Sequence, residues 1–149
     1  MTMRLNYGVA APEIVKATLD LEQAVKNTGL EPSLIHLIKL RASQINGCAY
    51  CIDMHNREAR ADGESQQRLD LISVWRETNF FNDREKAALA WTEALTLIAD
   101  THAPDGDYEA LAAVFDERER VAVTLAIAAI NGWNRFAIGF QTPVPRAKV

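Results

Sequence analysis

The sequence predicts an all-α protein of about six to seven helices. Apolar residues recur at three- and four-residue spacing along most of the chain, and no convincing alternating pattern indicates a strand. Hydrophobic residues make up 48% of the 149 residues, as is typical of a folded globular protein. We expect residues 1–149 to form one domain with its core in about residues 10–140, because a chain of this length buries roughly two thirds of its unfolded surface.

The first two helices are predicted from proline positions and apolar spacing. Ala11-Pro12-Glu13 indicates a helix start, because proline at the first helical position lacks only an N–H that would have no partner there. This helix is expected to run to about Asn27, and a second one begins after Pro32. The apolar stripe of the second helix consists of Leu34, Leu37, Ile38, Ala42 and Ile45.

The third predicted helix carries both cysteines of the protein. It starts at or near Cys48, after Gly47 interrupts the pattern, and ends around Gly63. Ser65 is expected to cap a fourth segment and Asn82 a fifth helix, because short polar side chains there accept a hydrogen bond from a free backbone N–H. The Cys-x-x-Cys motif therefore lies at the start of the third predicted helix.

The end of the chain is predicted to form a short helix and a long one. Pro104-Asp105-Gly106 indicates a turn, followed by helices over residues 108–115 and from 117 to about 140. The long helix is apolar on nearly every side in residues 121–130. This pattern predicts burial on every side, either within the domain or against a second subunit.

Charge and composition exclude several functional classes. Basic residues number 16 and acidic residues 20, which gives a net charge of −4 with no basic block, so we expect no binding to nucleic acid. The first residues lack the charged start and apolar core of a signal peptide. The apolar run of residues 121–130 is roughly half as long as a membrane span requires. We therefore expect a cytoplasmic protein that does not bind a membrane.

The residues that carry chemistry are Cys48, Cys51 and His55. On a helix their spacing places them within an arc of roughly 60°. At a helix start the free backbone N–H groups and the dipole favour a thiolate, and an imidazole one turn later can exchange a proton near neutral pH. A thiolate, a partner thiol and a proton carrier are the groups that thiol redox chemistry needs. We therefore favour a redox-active disulfide between Cys48 and Cys51, with no other cofactor.

Two other interpretations of these residues remain open. Cys-x-x-Cys-x-x-x-His offers three zinc ligands, but structural zinc usually takes two ligands from each of two segments, and His36 or His102 would have to complete the site. Two buried, inert cysteines beside a core histidine are the second alternative, because a free cysteine often behaves as a small hydrophobic residue.

Three segments of the chain resemble the carboxymuconolactone decarboxylase-like superfamily, specifically its alkyl hydroperoxidase D-like (AhpD-like) branch. They are residues 40–55, which read LRASQINGCAYCIDMH, residues 75–78, which read WRET, and residues 131–135, which read NGWNR. The resemblance covers about residues 10–140. It implies an all-helical fold, a homo-oligomer (trimer or hexamer) with its active site near a subunit interface, and reduction of hydroperoxides at the cysteine pair. An external thiol or dithiol then recycles the enzyme.

The resemblance also implies a role for each site residue. Cys51 attacks the peroxide, Cys48 resolves the product, and His55 matches the histidine of the motif. The proton relay of this branch contains a glutamate and a second histidine, whose positions here hold His36 and Tyr50. A histidine can carry a proton but cannot act as an anion, and tyrosine is a poor base at pH 7, so we expect a changed relay with His36 as a fourth catalytic candidate.

Other functions are compatible with the sequence. Decarboxylation of a carboxymuconolactone-like acid occurs in the wider superfamily but does not depend on two cysteines. A non-catalytic oligomeric module that senses redox state or holds zinc is the third hypothesis. Outside the motif, Trp75, Trp91 and Trp133 are expected to anchor the core or an interface. Asn131, Asn134 and Arg135 are expected to form hydrogen bonds across helices or subunits.

Overall fold

The computed structural model describes residues 1–146, and this part of the chain is all-α, as predicted. It contains nine α-helices and one 3₁₀ helix, with 75% of the residues helical and no strand. In chain order these are α1 (Tyr7–Ala10), α2 (Pro12–Lys26), α3 (Pro32–Asn46), α4 (Ala49–Ala61), α5 (Gln66–Leu71), the 3₁₀ helix (Ile72–Glu77), α6 (Asp83–Thr96), α7 (Ile98–Thr101), α8 (Asp105–Val114) and α9 (Glu117–Gly139).

The long helices begin where local signals predicted. Pro12 and Pro32 are the first residues of α2 and α3, and Ser65 caps α5 by accepting a hydrogen bond from the Arg68 N–H. Asn82 forms a reciprocal capping box with Glu85 at the start of α6. These boundaries follow from the sequence because each depends on a proline at the first helical position or on a cap contact between residues three apart.

The predicted helix count of six to seven was too low. Helices α1 and α7 have four residues each, which is too short for an apolar period to reveal them. The Cys-x-x-Cys motif is consequently at the start of the fourth helix and not the third. The predicted turn at 104–106 is also partly wrong, because Pro104 caps α8 and Asp105 is already helical.

Helix α3 is the centre of the fold and packs against α4, α6 and α9. One side of α3 contributes Leu34 and Ile38 to the main core, which α6, α8 and α9 complete. The other side contributes Leu37 and Leu40 to a second core with α4, α5 and the 3₁₀ helix. Each fully buried leucine or isoleucine stabilises the fold by about 2 kcal/mol relative to exposure. This double burial holds the end of α3, and therefore the cysteine motif that follows it, in place.

Helix α9 is long and apolar enough to cross a membrane by length and composition alone, but core helices of folded domains pass the same test. Here α9 packs into the main core through residues that include Val123, Ile127 and Ile130. Within the single chain the predicted burial of residues 121–130 is incomplete, because Val121 is 69% exposed, and burial against a second subunit stays a prediction.

Candidate active site

The break between α3 and α4 determines where the first cysteine lies. Gly47 adopts a left-handed conformation with φ of +69°, which glycine tolerates without strain, and ends α3. The Cys48 N–H donates back to Ser43 O at 2.9 Å. Cys48 then caps α4, and its sulfur accepts a hydrogen bond from the Cys51 N–H at 3.3 Å. The first cysteine therefore lies at the positive end of the helix dipole.

Cys48 and Cys51 form a disulfide within the first turn of α4, with their Cα atoms 5.3 Å apart. Both side chains are buried, at 1% and 2% exposure, and they pack against Ala137 of α9 and against Tyr50. The structure therefore brings the two predicted cysteines together at a Cα separation that permits a disulfide.

His55 lies one helical turn after Cys51 and is 4% exposed. Its Nδ1 is 3.1 Å from Glu58 Oε2, and its Nε2 is buried without a hydrogen-bond partner among residues 1–146. The hydrogen bond from His55 lowers the pKa of Glu58 below its ordinary value and outweighs the opposing effect of burial. Glu58 was not among the predicted site residues, although its position three residues after His55 on a helix indicates that the two side chains are neighbours.

A cavity of about 330 Å³ opens on Cys51 and His55. Its lining is largely aromatic and apolar, with a few charged groups. The other lining residues are Tyr7, Leu19, Glu22, Lys26, Tyr50, Met54, Glu58, Trp133 and Ala137. A second cavity, of about 280 Å³, opens on Cys48 and is walled by Met1 and Arg4. Each cysteine therefore lines a different cavity, and Tyr50 lines both.

His36 does not lie in the cavity that contains Cys51. Its Nε2 is 2.6 Å from Asp62 Oδ2, its Nδ1 is buried and unpaired within the described part of the chain, and its side chain is 13% exposed. A larger cavity of about 660 Å³ lies beside His36 but contains neither cysteine. His36 and Glu58 line a further cavity of about 450 Å³. The predicted catalytic role of His36 stays a prediction. A proton path from His36 to His55 would have to pass Glu58.

A buried ion pair completes the polar groups near the site. Lys39 of α3 pairs with Glu22 of α2, and Oε2 of Glu22 is buried without a partner in the described residues. The sequence analysis missed both residues, because their 17-residue separation leaves no local pattern. We call Glu22, His36, Lys39, His55 and Glu58 the histidine–carboxylate cluster.

A second set of polar side chains joins α3 to α9 directly before the cysteine motif. Asn46 Nδ2 donates to the Oδ1 atoms of Asn131 and Asn134, both at 2.9 Å. Asn134 Nδ2 donates to Ser43 Oγ, and Asn131 Nδ2 donates to Thr96 Oγ1, both at 3.1 Å. We call these five residues the asparagine cluster. The prediction that Asn131 and Asn134 form hydrogen bonds across helices is confirmed.

The structure also bears on the predictions for Arg135, for the three tryptophans and for a metal site. Arg135 donates to Asn131 O, on its own helix, at 2.9 Å, so no bond to another helix is formed within the described residues, and a bond across subunits stays a prediction. Trp75 and Trp91 are buried in the cores, as predicted, whereas Trp133 lines the cavity described above. Among residues 1–146, no group of three or more His, Cys, Asp or Glu side chains is placed to hold a metal ion.

The fold and the site together define a class: all-helical proteins with a buried Cys-x-x-Cys pair at a helix start and a histidine one turn later. The chain belongs to the carboxymuconolactone decarboxylase family, whose model matches residues 12–94. Its structure has the AhpD-like fold.

Relatives with similar sequences have no assigned activity. The uncharacterized protein YdfG of Bacillus subtilis is 41% identical over 138 residues, which cover 93% of this chain and 94% of YdfG. A crystal structure from Agrobacterium tumefaciens, of a protein of unknown function proposed to be the antioxidant defence protein AhpD, is 51% identical. It has a TM-score of 0.96, with 98% of this chain and 100% of that chain covered.

A more distant structure shows the same fold with a different named activity. The debrominase Bmp8 has a TM-score of 0.79 and 19% identity, with 90% of this chain and 72% of that chain covered. At this identity the similarity extends to the fold alone. The activity of this protein therefore depends on the residues and geometry of its own site.

Proposed function

We propose that this protein is a thiol-dependent peroxidase or disulfide reductase that reduces hydroperoxides through Cys48 and Cys51. The observation that carries the proposal is Nε2 of His55, which is buried without a hydrogen-bond partner among residues 1–146, on a residue that lies one turn after Cys51 and lines the same cavity. A buried imidazole nitrogen that can accept a proton, next to a thiol at a helix start, is suited to forming a thiolate.

The reaction proceeds in balanced steps from the reduced protein. The Cys51 thiol gives its proton to Nε2 of His55, and the thiolate attacks one peroxide oxygen. The O–O bond breaks, the leaving alkoxide takes the proton from His55, and Cys51 becomes a sulfenic acid. Cys48 then attacks this sulfur, a disulfide forms and water leaves. An external thiol or dithiol reduces the disulfide, which is consistent with a reducing compartment such as the cytoplasm.

Two effects favour different cysteines as the attacking thiol, and the larger effect favours Cys51. Cys48 is buried at the N-cap of α4, where the helix dipole stabilises a negative charge by up to about 2 kcal/mol. Cys51 lies one turn from His55, and a well-placed imidazolium lowers a thiol pKa by several units. The imidazole effect is larger, so Cys51 is expected to be the more reactive thiolate.

The assignment is tested with the matched variants Cys48→Ser and Cys51→Ser, each treated with a hydroperoxide and a sulfenic-acid trap. Mass spectrometry is expected to locate the adduct at Cys51 in Cys48→Ser, with little adduct at Cys48 in Cys51→Ser. The reverse pattern would make the role assignment wrong. No adduct in either variant, together with no oxidation of the wild type in stopped-flow experiments, would refute the peroxidase proposal and favour a non-catalytic module.

We also propose that the chain forms a homo-oligomer, a trimer or hexamer. Several large apolar side chains on α1, α2 and α9 are exposed in the single chain, and burying them between subunits would be favourable. They include Val9, Ile14, Leu19 and Val121. Light scattering at micromolar concentration is expected to give the mass of three or six chains, and a monomer alone would remove this proposal.

A further inference from the structure

Glu58 constrains the chemistry of His55 through a single hydrogen bond. Its carboxyl group has a lowered pKa because His55 donates to it, so it is ionised at neutral pH and can only accept hydrogen bonds. A neutral imidazole has one donor and one acceptor nitrogen. Since Nδ1 faces the carboxylate at 3.1 Å, Nδ1 must carry the proton, and the buried Nε2 is the acceptor.

The three groups lie on one face of one rigid helix. Cys51 and His55 are four residues apart on α4, and His55 and Glu58 are three apart, so each follows the previous one by about one turn. The resulting order is thiol, imidazole, carboxylate, in which the third group orients the second. About half of the Glu58 side chain is exposed, whereas only 5% of the His55 side chain is. The carboxylate therefore contacts solvent while the base stays buried.

Glu58 also provides a carboxylate that position 36 does not. His36 cannot act as an anion, and it pairs with Asp62 outside the cavity of Cys51. Charged groups on neighbouring helices surround Glu58, and the positive charge of Lys39 further lowers its pKa. The titratable groups that line the cavities around it are Tyr7, Glu22, Lys26, His36, Tyr50, His55 and Asp62.

We propose that Glu58 is the positioning residue of this site: it holds the imidazole proton on Nδ1 of His55 and so keeps Nε2 free for the proton of Cys51. The inference rests on the proposed function for the use made of the thiolate. In the step concerned, the Cys51 S–H bond breaks, the proton moves to Nε2, and the carboxylate stabilises the imidazolium. Glu58 itself takes no proton in this step.

The test uses reduced protein in a Cys48→Ser background, so that Cys51 is the single thiol. Glu58→Ala removes the acceptor, Glu58→Gln keeps an acceptor oxygen without charge, and Asp53→Asn is the control. Asp53 lies on the same helix and pairs only with Arg57 among the described residues. Long-range ¹H–¹⁵N NMR reports which nitrogen of His55 carries the proton, and the pH profile of iodoacetamide alkylation reports thiolate formation at Cys51.

The proton is expected on Nδ1 in the background protein, in Glu58→Gln and in Asp53→Asn. In Glu58→Ala a substantial fraction is expected on Nε2, and alkylation at pH 7 falls about tenfold, which corresponds to one unit in the pH midpoint. Glu58→Gln is expected to lose part of the rate with its tautomer unchanged. An unchanged tautomer and midpoint in Glu58→Ala would overturn the proposal. If these responses appear but no hydroperoxide oxidises the protein, the proposed function fails while the role of Glu58 stands.

Discussion

The asparagine cluster and the histidine–carboxylate cluster lie on helices around the same cysteine pair, but they differ in how their buried polar atoms are paired. In the asparagine cluster the buried side-chain nitrogen and oxygen atoms have partners on α3, α6 or α9. Three buried side-chain atoms lack a partner among residues 1–146, and all three belong to the other cluster. They are Oε2 of Glu22, Nδ1 of His36 and Nε2 of His55.

This difference separates a structural role from a chemical one. A buried polar atom without a partner costs about 1–3 kcal/mol, so a protein retains few of them. The asparagine cluster stabilises the contact between α3 and α9 on which the backbone of Cys48 depends. The histidine–carboxylate cluster lowers stability through its three atoms without a partner among the described residues, but one of these atoms is Nε2 of His55, one helical turn from Cys51. Variants of the histidine–carboxylate cluster are therefore expected to lower activity more than stability. Variants of the asparagine cluster are expected to lower stability.

The largest effect is expected on activity, from His55→Asn. Loss of the proton acceptor should slow the oxidation of Cys51 by hydroperoxide about 100-fold at pH 7, the typical contribution of a general base. The free energy of unfolding should change little, because an unpaired buried atom is removed with the ring. Stopped-flow fluorescence and urea unfolding measure the two quantities.

The matched control for this variant is His102→Asn. His102 has a φ of +52° at the end of α7, a conformation that asparagine tolerates well. Both the oxidation rate and the stability are expected to remain at the wild-type level. A loss of activity equal to that of His55→Asn would remove the distinction between the two histidines.

The opposite result is expected for Asn134→Ala in the asparagine cluster. The change leaves Ser43 Oγ and Asn46 Nδ2 without one partner each in the interior, which should lower the free energy of unfolding by about 2 kcal/mol. Urea unfolding measures the loss. Asn27→Ala, at the exposed end of α2, is the control and should change stability by less than about 0.5 kcal/mol. Equal losses in both variants would contradict the structural role of the cluster.

The smallest effect is expected for Glu93, a partly buried carboxylate whose two oxygens both accept hydrogen bonds. Burial raises its pKa, but hydrogen bonds from Arg76 and Trp75, together with one from Arg41, lower it further than burial raises it. A carboxyl group with a lowered folded-state pKa stabilises the protein above its unfolded-state pKa of about 4.3. That stabilisation is lost as the pH falls through the lower folded-state value.

The Glu93→Gln variant should therefore lose less stability than the wild type between pH 5 and the acid limit of folding. Urea midpoints measured across this range check the expectation. Glu117→Gln is the control, because the Glu117 side chain is 98% exposed at the start of α9. If wild type and Glu93→Gln respond identically to acid, the paired carboxylate does not stabilise the fold in the expected way.

Features that depend on neighbours along the chain were predictable from the order of the amino acids. Helix starts at Pro12, Pro32 and Asn82 follow from caps and turns within a few residues. The relation of Cys48, Cys51 and His55 follows from helical geometry alone. Glu58 belongs to this local class as well, and the i+3 rule that relates it to His55 was available from the printed sequence.

Contacts between residues that are distant in sequence became visible only in the folded protein. Asn46 meets Asn134 across 88 residues, and Lys39 meets Glu22 because α2 lies beside α3. The direction of the His36 side chain, toward Asp62 and away from the cavity of Cys51, also depends on how α3 packs against α4. Apolar periodicity shows which face of a helix is buried, but the choice of partner depends on packing that joins several helices at once.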